Sequence, residues 1–290
     1  MSTAFVADEV ETAARPGVFR RLWSDRSGRI GVVLVALVLL VGLLAALGLL
    51  PYDPIAQSTD RLQAPSLAHW LGTDQFGRDI AARTFAGIFA SLRVSALAVL
   101  LAAVIGGLLG ILAGFAGGLM DAVVGRCTDV LFAFPAILLA LALVAALGHG
   151  WVNTAIAISV VYVPIFVRVA RGPVLAVREA DYIRAARTLG FSPARILFRH
   201  ILPNVSAPLG VQTALALSWG ILTESALSFL GLGAQPPDPS LGLMVNDARN
   251  LLTEAWWTLA APAAAIVVTV VGLNLLADGL RSATDPRSRR

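Results

Sequence analysis

Six apolar stretches alternate with polar ones along the chain, at residues 30–50, 94–116, 130–147, 151–167, 206–223 and 256–276. Each approaches the ~20 residues that a helix needs to cross the ~30 Å hydrocarbon core of a bilayer, so the pattern predicts six transmembrane helices. The first carries no charge. The second is rich in glycine (Gly106, Gly107, Gly110 and Gly114), which lets a neighbouring backbone approach closely and predicts a packed, interior helix. Pro135 in the third stretch and Pro164 in the fourth predict kinks, and Gly148 to Gly150 leave room only for a tight turn between them. Trp256 and Trp257 open the sixth, where an interfacial aromatic belt places such rings.

Between the fourth and fifth stretches lies a long polar insert, residues 168–205, whose centre reads RAARTLGFSPARILFRHILP over 184–203. Residues 178–189 contain no helix breaker, and Glu179 and Asp181 fall early, where the helix dipole favours negative charge. Gly190 then occupies the position in which glycine ends a helix. Ser192 and Pro193 suit the N-cap and first turn of a second short helix, expected to end near His200, ahead of Pro203, with re-entry into the membrane at Ser206. Ala186 and Gly190 are four apart with Ala185 beside them, giving the first helix a narrow side able to seat in a groove. Leu189 and Phe191 offer apolar contact at the tip.

Composition agrees with the pattern: hydrophobic residues make up 57%, charged residues 14%, and the mean hydropathy is +0.79. This is the composition of an all-α membrane protein. Every positive charge is an arginine. One side of the six spans receives Arg15 to Arg29, Arg126, the arginines from Arg168 to Arg199 and those from Arg281 onwards, whereas the other receives only Arg61, Arg78, Arg83, Arg93 and Arg249. The positive-inside rule therefore puts both termini and the insert in the cytoplasm, and it removes nucleic acid as the reason for the basic pI. The division that follows is a cytoplasmic tail over 1–29, a first span over 30–50, an outer loop over 51–91, a core of five spans over 92–279 holding the insert, and a cytoplasmic tail over 280–290. The first stretch is longer than a signal sequence needs and lacks a small-x-small cleavage site, so it is expected to be retained. Ahead of it, GVFRRLWSDRSG suits either a short helix lying among the headgroups or a basic tail that merely follows the charge rule.

The spacing of the insert, Ala185 and Ala186, three residues, Gly190, nine residues, then His200 to Pro203, resembles the EAA loop of permease subunits of bacterial ATP-binding cassette importers. Two positions depart from that pattern: Arg184 stands in place of its glutamate and His200 in place of its isoleucine. HWLGTDQFGRDIAARTFAGIFASL at 69–92, ESALSFLGLGAQPPDPSLG at 224–242 and ADGLRSATDP at 277–286 resemble, in the same order, segments of the dipeptide and oligopeptide permeases. The resemblance implies the type I importer permease fold. It further implies a second, homologous permease subunit, two cytoplasmic ATPase subunits and an extracytoplasmic substrate-binding protein, with Arg184, Ala185, Ala186, Leu189, Gly190, Phe191, Leu202 and Pro203 on the loop that couples to the ATPase. The solute it implies is a dipeptide or oligopeptide, with nickel chelates, glutathione and haem as alternatives.

The chain's own chemistry is sparse. A sequence without lysine cannot hold a GxxxxGK[ST] phosphate loop, and neither HExxH nor GxSxG occurs, so no catalytic residue, metal ligand or cofactor is expected on it; ATP and magnesium belong to the partner ATPases. Cys127 is single, which excludes an intrachain disulfide. A secondary transporter, the rival class, needs intramembrane carboxylates or unwound ligating segments, and the spans are nearly free of acids. Outside the core, Asp74, Arg78 and Asp79 suit charge pairs holding the outer loop against a partner or a self-contained loop structure, the latter being preferred. Glu224, at the end of the fifth span, is costly there unless paired or wet; it lines the outer mouth or marks an interface, the latter being preferred.

Overall fold

The computed structural model describes residues 18–284, so the outermost parts of both expected tails, 1–17 and 285–290, lie outside the described residues. Its elements are helices α1 (Val18–Ser24), α2 (Arg26–Ala46), α3 (Ile80–Ala116), α4 (Gly118–Phe132), α5 (Ala136–Leu147), α6 (Trp151–Arg178), α7 (Asp181–Thr188), α8 (Pro193–Ile196), a π turn (Leu197–Ile201), α9 (Leu202–Phe229), α10 (Leu241–Ala248) and α11 (Trp257–Thr284). Five rods are long and apolar enough to cross a membrane: α2, α3, α6, the continuous run Pro193–Phe229, and α11. The remaining expected span, the third stretch, is not straight. Helices α4 and α5 meet at 93°, because Pro135 cannot continue α4 and instead serves as the N-cap of α5. Only the 12 residues of α5 continue towards Gly148, so the kink expected at Pro135 is a full break.

Three further boundaries move. The apolar count began the second span at Val94, but Asp79 caps a helix that starts at Ile80, its carboxylate accepting from Ala82 N at 2.7 Å; Arg83 and Arg93 lowered the local hydropathy without interrupting the helix. The fourth span likewise runs on to Arg178 through Pro164 and Pro173. The second short helix of the insert does not end near His200. Its last turn widens into the π turn, where Leu202 N reaches Leu197 O, and the chain passes directly into α9. Pro203 lacks the N–H a regular turn needs and crowds the carbonyl four residues back, which the wider turn relieves.

The core forms where α3 lies along α6. Gly106 and Gly110 face the carbonyls of Val163 and Val167, with no room for a β-carbon at either, and Gly114 faces the Val174 side chain, where a β-carbon would fit only tightly at 3.0 Å. These are the glycines that predicted an interior helix, and Phe166, Ile158 and Ala102 are completely buried beside them. Helix α9 closes this layer, with Tyr162 OH and Thr223 Oγ1 2.9 Å apart across the α6–α9 contact. At the periphery, Gly31 of α2 abuts Leu276 of α11, and Gly28 abuts Gly279. The segment ahead of α2 is helical as α1, and Leu22 tucks under Gly28 and Gly279 at 6% exposure.

The loop between α2 and α3 folds on itself. Asp74 accepts from Arg78 Nε at 2.6 Å and lies 3.6 Å from Arg83 Nε, while Arg83 donates to Pro54 O at 3.0 Å. His69 Nδ1 meets Asp79 at 2.8 Å. Asp247 of α10 lies beside this group; burial pushes its carboxyl above the usual carboxylate range, and Arg78 and Arg83 pull it back.

Candidate functional site

The insert is two short helices seated on the ends of α3, α6 and α9. Helix α6 stops at Glu179, Ala180 is the N-cap of α7, and α7 occupies Asp181–Thr188, so the expected 178–189 helix is divided where the chain turns back over its own core. Ile183 is fully buried against Ile111, Val174, Ile196, Ile201 and Val205, and Ala186 is 6% exposed. This corrects the expected docking face. Ala186 sits one turn from Ile183 on the inward side, so it packs within the chain, and the outward side presents Ala185, Leu189 and Gly190. Leu189 is 74% exposed, an unusual state for a leucine at the tip of an anchored helix.

The turn after α7 follows from one glycine. Phe191 N donates to Ala186 O at 3.1 Å and Gly190 N to Arg187 O at 3.0 Å, the paired bonds of a Schellman motif, with Gly190 at φ +75. Ser192 then caps α8, its hydroxyl accepting from Arg195 N at 3.3 Å, as its pairing with Pro193 predicts. Phe191 is half-buried, with the Arg195 guanidinium 4.5 Å above its ring. Leu202 and Pro203 lie exposed at the start of α9. Arg184 turns back, donating from Nη2 to Glu179 O at 2.9 Å and lying 3.4 Å from Asp181. It thus staples the start of α7, leaving the first motif position committed to the insert itself. His200 lies beside Tyr182, ring centroids 5.9 Å apart.

Below the insert, arginines brace the helix ends. Arg178 Nη1 donates to Gly114 O at 3.0 Å, fixing the end of α6 to the end of α3. Arg171 forks onto Asp121 of α4, with Nη2 2.7 Å from Oδ2, and Arg168 reaches Asp129 at 3.0 Å. Sequence reasoning counted these residues as topology signals and missed them as braces. It also missed Ile183, Ile196 and Ile201, although an isoleucine three residues before Ala186 in an otherwise polar helix is the pattern of an anchor.

At the opposite end, Asp74, Arg78 and Asp79 are engaged within the loop described above, and Arg78 and Asp79 are 6% and 4% exposed. Glu224 is 1% exposed and turned into the packing between α9 and α3, away from any surface of the chain. Among the described residues no three His, Cys, Asp or Glu side chains gather as a metal site.

Long glycine-packed spans joined by an anchored polar insert with a bare apolar tip define a multi-pass membrane protein. The chain belongs to the binding-protein-dependent transport system inner membrane component family, which matches residues 106–290. It is 42% identical over 271 residues to the dipeptide transport system permease protein DppC of Alkalihalophilus pseudofirmus, covering 93% of this chain and 89% of that one. It is 42% identical to the probable D,D-dipeptide transport system permease protein DdpC of Escherichia coli, covering 88% and 86%. The glutathione transport system permease protein GsiD of Pectobacterium atrosepticum is 44% identical, with 88% and 87% covered.

Proposed function

We propose that this chain forms one half of the pathway of an ATP-driven importer of dipeptides or short oligopeptides, and that α7 with the turn at Gly190 is the part an ATPase subunit pushes. The observation that carries the reading is mechanical. The base of the insert is locked to three spans through Ile183, Ile196 and Ile201, while its tip exposes Leu189. A partner seated on that tip moves α3, α6 and α9 together, because the packed isoleucines leave little slack. Hydrolysis of ATP, with its magnesium, belongs to two ATPase subunits. A second permease subunit supplies the other wall, and a substrate-binding protein delivers solute at the 51–79 loop. The arginine distribution supports the orientation, with the insert and both termini in the cytoplasm. Peptide substrates are supported by the two dipeptide permeases named above, and the glutathione permease makes glutathione the competitor to test.

Two experiments follow. The assembly reconstituted in liposomes with its ATPase subunits and binding protein is expected to take up labelled dipeptide only with ATP inside the ATPase compartment. Uptake by the permease alone, driven by an ion gradient, sinks the proposal, and preference for glutathione over dipeptides reassigns the solute. Gly190→Val is expected to leave insertion intact and to cost about 1–2 kcal/mol locally, since a β-branched residue is forced to positive φ. Transport per ATP hydrolysed is then expected to fall several-fold; an unchanged ratio places the contact elsewhere.

A further inference from the structure

Near the end of α9 that faces the 51–79 loop, a carboxylate is buried among hydroxyls. Ser228 Oγ donates to Glu224 Oε1 at 2.6 Å. The other oxygen, Oε2, has no hydrogen-bond partner, and neither do the buried hydroxyls of Ser91, Ser95 and Ser225. Ser91 and Ser225 stand beside the carboxylate. Ser95, one turn along α3 from Ser91, faces Gly220, one turn before Glu224 on α9. Helix α10 and the loop ahead of it seal the cluster, for Gly242 of α10 lies directly on the backbone of Ser225 and Gly233 of the loop covers the Ser228 hydroxyl. Glu224 itself is 1% exposed, Ser91 and Ser228 not at all, and Ser225 7%.

A carboxylate this deep requires a counter-charge or neutralisation, and among the described residues no cationic side chain forms an ion pair with it. On α3, Arg83 is held by Asp74 and the Pro54 carbonyl, and Arg93 lies 4.1 Å over the Trp151 ring. On α6, Tyr162 pairs with Thr223. On α10, Asp247 sits with Arg78 and Arg83. In the preceding loop, His69 is taken by Asp79.

We propose that Glu224 Oε2 with the hydroxyls of Ser91, Ser225 and Ser228 forms a binding site for one monovalent positive charge, a proton or an alkali-metal ion. The ligand set is oxygen only, one charged and three neutral, which suits either source. Its ligands come from α3 and α9, so the bound charge fastens these two elements at this end of the molecule, under the cover of α10. It is a structural ligand, not cargo, and it is independent of the reading of the insert.

The test is the thermal midpoint of the purified permease assembly, titrated from mildly alkaline to acidic pH in choline chloride and, at fixed pH, with sodium replacing choline. A ligand that binds only the native state raises the midpoint with its concentration. The wild type is expected to rise by several degrees in one titration. Glu224→Gln, which keeps the shape and removes the charge, is expected to lose that response, and Ser91→Ala to shift it, to higher concentration for an alkali ion that loses an oxygen ligand and to higher pH for a proton whose carboxylate loses a donor. A response to pH alone assigns the proton, and one to sodium at fixed pH the alkali ion. Parallel wild-type and Glu224→Gln curves in both titrations overturn the site. If Glu224→Gln does not assemble, Ser91→Ala decides: a shifted response supports the site and an unshifted one refutes it.

Discussion

Gly110→Ala is expected to separate α3 from α6 and to lower the thermal midpoint of the purified permease by several degrees. A methyl group at 110 stands 2.4 Å from Val167 O and 2.9 Å from Ala170 Cβ. The first obstacle is backbone, so no rotamer change relieves it. The helices must move apart, and Gly106, whose own β-carbon position is 2.5 Å from Val163 O, marks a second close contact that such movement forfeits. Overpacking typically costs about 1–3 kcal/mol, and here it is expected at the upper end, more than the ~1 kcal/mol that alanine gains over glycine in helix propensity. Gly107→Ala is the internal control, since its nearest neighbour, Leu209 Cδ1, is 3.6 Å away, an ordinary contact. The Gly107 variant is expected to match the wild type in membrane abundance and thermal midpoint. Equal midpoints for the two variants remove the close-packing argument.

Ile183→Ala is expected to release the insert while leaving the spans folded. Ile183 is the largest buried side chain of α7, and truncating such a residue costs about 2–5 kcal/mol. An eight-residue helix cannot persist without its packed face, so the loss appears as local opening. Trypsin is then expected to cut after Arg184 and Arg187 at least ten-fold faster, as each ~1.4 kcal/mol is a factor of ten in the open population. Asp121→Ala makes the contrast. Its bridge to Arg171 is only partly buried, at 23% and 39% exposure, and is worth about 1 kcal/mol or less, so cleavage is expected to change little. If both variants are cut at the wild-type rate, α7 is held by something other than its isoleucine.

The sequence spoke most clearly where a single physical demand acts. Unbroken apolar runs announced the membrane rods, the glycines of α3 announced a tight neighbour, and Gly190, Ser192 and Pro193 announced the turn between the two insert helices. It misled where two demands compete. Arg83 and Arg93 lowered hydropathy yet sit in a continuous helix, so α3 read short by its first turns. In α7 the small residues Ala185 and Ala186 looked alike, but Ile183 fixes the helix rotation and sends only one of them outward. The braces from Arg168, Arg171 and Arg178 join residues far apart in sequence, and spacing alone carries no information about such partners. Glu224 was visible as an oddity from its depth in the chain, whereas its serine neighbours on α3 needed the fold to bring them there.

The π turn has a consequence for azimuth. Ile196, Ile201 and Val205 all face inward, though the first two are five residues apart, a step that in a regular helix leaves them ~140° out of line. The extra residue closed within the turn 197–201 reduces that offset to roughly 40°, so the insert and α9 keep one common inward stripe across the junction. Should that turn relax to regular α geometry, everything beyond it would rotate by roughly 100°, taking Ile201 and Val205 out of register with Ile196. The widened turn is thus a phase lock: it joins α8 and α9 as one continuous helical run with a shared inward side rather than two separately seated helices.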